Sequence, residues 1–268
     1  MTKPDPRHSS KPPRDEAEAA PQGEMVYGRH AVLSMLEGDR PVNKIWMLRS
    51  LEKDALFPKV RQLAKAKGAS VMLTERGKLD QLTEGATHQG IVASVATQAY
   101  VDLDEVIAQA KAHPQPLVVL LDGVEDPHNL GAIIRSAECA GAHGVVIPQR
   151  RSASLTGVVE KTAAGALAHM PVARVVNLPR AIEELKDAGF WVVGAEASGD
   201  RWLYDVDLTG PIALVIGSEG EGMHRLVTEK CDFVAKLPLL GKTTSLNASV
   251  AAGVMLYEAV RQRLVASK

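Results

Sequence analysis

The chain has 268 residues, 46% hydrophobic and 24% charged, with a formal net charge of −1, enough apolar side chain for one large core or two small ones. Two cysteines, Cys139 and Cys231, are too few for a disulfide framework or a zinc site, and no apolar run approaches the roughly 20 residues that span a bilayer. No signal-peptide core follows Met1, so the expectation is a soluble cytoplasmic protein with no membrane partner.

Charge is unevenly placed. Residues 24–98 hold 11 Lys/Arg against 8 Asp/Glu, and residues 99–268 hold 16 against 20. A mildly basic first part fits contact with a phosphate backbone. Residues 1–23 contain five prolines and almost no large apolar side chain, which is the composition of a disordered tail.

Residues 24–98 read as a small α/β unit, with helices expected at 30–36, 55–67 and 79–83 and strands at 44–48, 70–73 and 90–95. Pro58 must lie in the first turn of its helix. The polar loop 84–90 has two open readings, a simple connection or an RNA contact. Residues 99–114 form a linker, mostly a helix over 101–113, before Pro114 and Pro116 break the chain. Over 115–268, strands at 117–121, 144–147, 172–176, 190–195 and 212–216 alternate with helices at 129–140, 155–168 and 179–188 and after Asn247. That alternation predicts a parallel sheet covered by helices.

Three polar clusters stand at predicted strand ends, where open α/β sheets bind ligands. Asp122 to Arg135 contains Asn129, a natural N-cap, and Arg135, suited either to snorkel or to hold a phosphate or carboxylate. Gln149 to Ser154 carries Arg150 and Arg151, either a solvated loop or a phosphate contact. The stretch 214–258 joins a glycine-rich turn at Gly217, Gly220 and Gly222 to a polar helix entrance at Lys242, Thr243, Thr244, Ser245 and Asn247. Two ordinary strand–loop–helix units would explain this stretch blandly, but a cap alone does not need so many hydrogen-bonding groups. No HExxH, CxxC or GxxxxGK[ST] occurs, so neither a catalytic metal nor a P-loop is expected. The spacing Gly217-x-x-Gly220-x-Gly222 is not the dinucleotide fingerprint, which disfavours an oxidoreductase.

Asn129-x-Gly131-x-x-x-Arg135, Ile216-Gly-Ser-Glu-Gly-Glu-Gly222 and Ser245-Leu-Asn247 resemble, in order, the three motifs of the SpoU/TrmH group of SPOUT RNA methyltransferases. Tyr27-Gly28-Arg29-His30 and Thr87-His88-Gln89-Gly90-Ile91 resemble the substrate-binding domain of bacterial 23S rRNA guanosine 2′-O-methyltransferases. The resemblance covers about residues 24–265. It implies an α/β SPOUT domain over 115–268 with a C-terminal trefoil knot, preceded by an RNA-binding domain over 24–98.

It also implies S-adenosyl-L-methionine as cofactor, held by backbone near Gly217, Leu237 and Leu246. Arg135, Asn129, Glu219, Ser245 and Asn247 would be catalytic, and Arg29, His88, Gln89, Arg150 and Arg151 would contact RNA. The implied partners are ribosomal RNA or a pre-ribosomal particle and a second copy in a homodimer, with no metal. The expected reaction is methylation of a ribose 2′-hydroxyl, most naturally of a 23S rRNA guanosine. A tRNA substrate and a non-catalytic assembly factor are the competing readings, the latter disfavoured because Arg135 and Asn129 are both present.

Overall fold

The computed structural model describes residues 24–267, and the expected tail over 1–23 lies outside them. The first elements are β1 (Met25–Tyr27), α1 (Arg29–Glu37), β2 (Val42–Leu48), α2 (Leu56–Ala66), β3 (Ser70–Thr74), α3 (Arg76–Leu82) and β4 (Ile91–Val95). They build a four-stranded sheet of order β1-β4-β2-β3, in which only the β2–β3 pair is parallel. Strand β1 has no counterpart in the sequence reading, because three residues are too short to show a period.

The second set is α4 (Leu103–Lys111), β5 (Leu117–Asp122), α5 (Pro127–Cys139), β6 (Val145–Pro148), α6 (Gly157–Ala163), β7 (Val172–Val175), α7 (Leu178–Asp187) and β8 (Trp191–Ala195). β9 (Arg201–Trp202), β10 (Ile212–Gly217), α8 (Arg225–Thr228), β11 (Phe233–Lys236) and α9 (Ala248–Ala266) complete it. The seven strands pair in parallel in the order β7-β6-β5-β10-β8-β11-β9. Leu117, Val119 and Leu121 face one apolar cluster with α5, α6 and α9, while Val118 and Leu120 face a second with α4 and α7. A strand covered on both faces must be apolar at every position, which is why this run does not alternate with polar residues.

The structure differs from, or adds to, the sequence reading at three places. The helix expected over 155–168 stops at Ala163, because Ala164 and Gly165 take left-handed conformations (φ 50° and 92°). The segment between residues 223 and 237, for which the sequence reading gives no element, contains α8 and β11. The linker helix buries Leu103, Val106 and Ala110 against the large sheet, so α4 is one of its covering helices.

Two anchors hold the frame. Asn43, at an irregularity in β2, donates to Val95 O (3.0 Å) and Leu155 O (3.1 Å) and accepts from the Tyr100 hydroxyl (2.7 Å). Arg174 Nη2 donates to Asn43 O at 2.8 Å, which ties the two sheets together. At the far end of α9, buried Arg263 donates to Leu208, Gln115, Pro116 and Gly210 carbonyls at 2.9–3.1 Å. Helix α9 is thereby fixed at its C-terminal end, and its N-terminus points at the strand ends that carry the site.

Candidate active site

Helix α5 begins at Pro127, two residues before the start expected from sequence, and Asp126, not Asn129, is its N-cap. Asp126 Oδ1 accepts from His128 N at 2.8 Å, and Pro127 occupies the first helical position, where no N–H is needed. Asn129 is therefore free for a long-range role. Its Nδ2 donates to Glu219 Oε1 at 2.8 Å. Asn247 Nδ2 donates to Asn129 Oδ1 at 3.0 Å and also to Glu219 Oε1. Asn247 Oδ1 meanwhile caps α9 by accepting from Ser249 N (3.0 Å) and Val250 N (3.3 Å). One residue from each of three motifs thus meets above β5 and β10, the neighbouring strands from which the strand order runs outward in opposite directions, to β6 and β7 on one side and to β8 and β11 on the other.

Gly131 has a packing reason. A Cβ there would lie 2.6 Å from Thr162 Cβ and 2.9 Å from Val159 O, so α5 and α6 approach only because it is absent. Arg135 does not join the cluster. Six residues past Asn129, it stands about 9 Å further along the helix. Its side chain is exposed and makes no hydrogen bond or ion pair among the described residues.

Beside the cluster, a cavity of about 370 Å³ opens at the ends of β8, β10 and β11. Gly217, Leu237, Ser245 and Leu246 all line it. So do Ala195, Ile216, Leu239 and Ala251, while Glu196 and Glu221 are the charged side chains in its wall. Ser245 thus faces the cavity and is not part of the Asn129–Glu219–Asn247 cluster. At Gly217 a Cβ would sit 2.3 Å from Gly222 C, so the glycine lets the turn Ser218–Gly222 fold back on its strand. That turn closes with Ser218 N on Gly222 O (2.9 Å) and Gly222 N on Ser218 O (3.1 Å).

A second constellation escaped the sequence reading. Asp122, 5% exposed at the end of β5, accepts from His224 N (2.6 Å) and from His224 Nδ1 (2.8 Å). Arg151 Nη1 donates to His224 Nε2 at 3.0 Å, and a guanidinium can only donate, so the imidazole proton lies on Nδ1. Asp122 was visible at a predicted strand end, but His224, 102 positions away, gave no local signal.

The residues expected to touch RNA divide. Arg150 is exposed, and Arg151 is exposed with a left-handed backbone (φ 55°). Arg29 pairs with Asp54 at 3.2 Å, and its N–H donates to Gln89 Oε1 at 3.0 Å, so Gln89 braces the first turn of α1. His88 is 6% exposed, its Nδ1 accepts from Gly90 N at 2.9 Å and its Nε2 meets Asp80 Oδ1 at 3.0 Å. With both ring nitrogens engaged it shapes the loop from within. No group of three or more His, Cys, Asp or Glu that could hold a metal occurs among the described residues. No helix there is long and apolar enough to cross a membrane.

Residues 116–257 match the SpoU rRNA Methylase family, and residues 25–101 match the family described as RNA 2′-O ribose methyltransferase substrate binding. The chain belongs to the SpoU rRNA methylase family. YacO of Bacillus subtilis, named as a TrmH-family tRNA/rRNA methyltransferase, is 50% identical over 243 residues, 90% of this chain and 97% of its own. The protein slr0955 of Synechocystis, named as a tRNA/rRNA methyltransferase, is also 50% identical, and the chain spans 66% of its length. The AviRb SpoU methyltransferase of Streptomyces viridochromogenes, solved with AdoMet, is 29% identical with a TM-score of 0.57, covering 90% of each chain. A TrmH/SpoU tRNA modifying enzyme of A. aeolicus, 29% identical with a TM-score of 0.54, covers 62% of this chain and 84% of its own.

This SpoU-family chain is an RNA methyltransferase that uses S-adenosylmethionine. The cavity suits that cofactor. Its walls combine leucine, isoleucine and alanine for an adenine with serine and threonine hydroxyls and carboxylates for polar groups, and among the described residues they contain no basic side chain.

Proposed function

We propose that the chain methylates a ribose 2′-hydroxyl of RNA, on a guanosine of 23S rRNA. The observation that carries this reading is the Asn129–Glu219–Asn247 cluster abutting a cavity lined by Gly217, Leu237 and Leu246. The match of residues 25–101 to a 2′-O ribose substrate-binding family supports the ribose oxygen as acceptor.

S-adenosylmethionine supplies an already activated methyl group, so the protein's task is alignment and charge stabilisation. Asn129, Glu219 and Asn247 hold the ends of α5 and α9 in fixed register, and Ser245 faces the cavity beside them. Arg135 binds the phosphate next to the target ribose and stabilises the 2′-oxygen as its proton passes to solvent. A guanidinium stays protonated, so it acts as a donor and not as a base. Arg150 and Arg151 extend the phosphate contacts, and the sheet of residues 24–98, with Arg29 and Gln89 at its edge, selects the RNA. The trefoil knot around the cavity belongs to the same proposal.

A homodimer completes the site. Val250, Tyr257 and Leu264 recur every seven residues on α9 and are 51%, 53% and 63% exposed, an apolar seam that a second copy would cover. A second copy would also give Arg135 the hydrogen-bond partners it lacks among the described residues.

A tRNA substrate is the second reading, favoured by the names of YacO and slr0955. Against it, the A. aeolicus tRNA enzyme matches only 62% of this chain, leaving room for a unit that its substrate does not require. Mapping 2′-O-methyl groups in RNA from cells lacking the protein tests the proposal. Loss of one 2′-O-methylguanosine from 23S rRNA is expected. Loss from tRNA establishes the second reading, and unchanged RNA overturns both.

A further inference from the structure

Glu196 stands at the end of β8, where the chain leaves the sheet. Its backbone is held on both sides: Glu196 N donates to Ala235 O (3.0 Å), and Glu196 O accepts from Gly199 N (3.1 Å). Gly199 cannot be replaced without a clash, since a Cβ there would lie 2.6 Å from Val234 O. The loop that carries Glu196 is therefore fixed. Its side chain, by contrast, makes no hydrogen bond or ion pair among the described residues, although it is half-buried in the cavity wall. Glu196 Oε1 lies 3.5 Å from where a Cβ of Gly222 would be, so the carboxylate leans across the cavity toward the glycine-rich turn after β10. Glu221, the other carboxylate in the wall, is exposed at the tip of that turn.

A half-buried carboxylate without a donor loses solvation and gains nothing in return. It becomes favourable when a ligand brings O–H or N–H groups to it. The cavity ligand, an adenosine derivative, carries a vicinal ribose diol with two such donors. The placement has a physical parallel. In dinucleotide-binding sheets an acidic residue at the end of one strand reads the ribose beside a glycine-rich turn at the end of a neighbouring strand. Here β8 pairs directly with β10, and the same two features stand side by side on a different fold. We propose that Glu196 accepts hydrogen bonds from the ribose hydroxyls of the bound cofactor and so selects a ribonucleoside. The inference rests on the cavity being the cofactor site.

Calorimetry on the full chain tests it with S-adenosylmethionine, with 5′-methylthioadenosine, which lacks the amino-acid part and the sulfonium charge, and with the 2′- and 3′-deoxy forms of 5′-methylthioadenosine. Glu196→Gln should weaken S-adenosylmethionine and 5′-methylthioadenosine alike by about tenfold, as expected for loss of a charge-assisted acceptor. The wild-type protein should discriminate against one of the deoxy forms, and Glu196→Gln should lose most of that discrimination, which a purely structural role would not change. Melting curves identify a folded variant, and Glu196→Asp serves as a second variant if Glu196→Gln does not fold. Weakening of S-adenosylmethionine alone would overturn the inference, because it would place the carboxylate at the methionine part. Ala251→Leu, which fills the cavity from α9, separates the two layers of the argument. If Ala251→Leu blocks binding and Glu196→Gln changes nothing, the ribose contact is wrong and the cavity stands. If neither affects binding, both are wrong.

Discussion

Asn247 Nδ2 donates to Asn129 Oδ1 at 3.0 Å across 118 positions of sequence. The same Asn247 caps α9 with its carbonyl oxygen, so one amide closes a helix with one atom and joins the site with the other. Asn247→Asp separates the two jobs. The carboxylate keeps the cap but loses the donor and confronts Glu219 with a like charge. It should lower stability by about 1–2 kcal/mol and cut methyl transfer by roughly tenfold or more. Asn247→Ala should lose about 1 kcal/mol through the missing cap as well. Thermal melts beside single-turnover assays check this, and an Asp variant with wild-type melting and turnover would refute the cluster.

Arg135 is exposed and partnerless among the described residues, so Arg135→Ala should leave stability within about 0.5 kcal/mol of the parent. Turnover at saturating RNA and cofactor should nevertheless fall by roughly 10²–10³. Cofactor affinity should hold, and Arg135→Lys should recover little, because an ammonium cannot copy a planar fork. Normal turnover in a folded Arg135→Ala protein would remove the residue from the reaction.

Gly217 tolerates no side chain, because a Cβ would lie 2.3 Å from Gly222 C and 2.5 Å from Met223 N. Gly217→Ala should push the turn away from β10, cost about 1–3 kcal/mol as an overpacked contact, and lower S-adenosylmethionine affinity. The effect acts through the turn's shape and not by filling the cavity. Calorimetry with a melting curve checks both parts, and an Ala variant of normal stability and affinity would contradict the close approach.

His143 makes stability depend on pH. Burial, and then the neighbouring His113 with its ring 4.2 Å away, hold its pKa below the ordinary 6.5; the Leu117 hydrogen bond opposes this and Arg263 adds to it. The unfolded chain therefore binds more protons here than the native protein. Its contribution to stability is complete above about pH 6.5 and is lost as pH falls through the depressed native value. His143→Asn, which keeps an acceptor for Leu117 N (3.1 Å in the parent), should flatten the decline of melting temperature on acidification. Equal slopes in parent and variant would exclude His143 as a contributor.

The sequence by itself determined the strand–helix alternation of the large sheet, the three polar clusters at its strand ends and the polar entrance of the last helix. These are local properties. Apolar period, glycine placement and helix-entrance chemistry act over a few residues and leave their mark in the order of the chain. Only the tertiary structure decided which atoms those polar residues use. Asn129 reads as a cap in sequence, yet Asp126 takes the cap and Asn129 turns to Glu219 and Asn247. His88 lies in a polar loop whose role the sequence leaves open, and in the structure Asp80 and Gly90 engage both its nitrogens. Asp122, His224 and Arg151 come together only because β5, β6 and β10 lie side by side, and Glu196 faces the cavity only because β8 pairs with β10. A polar side chain can satisfy its hydrogen bonds with a near neighbour or a distant one, and the packing of the sheet decides which of the two lies within 3 Å.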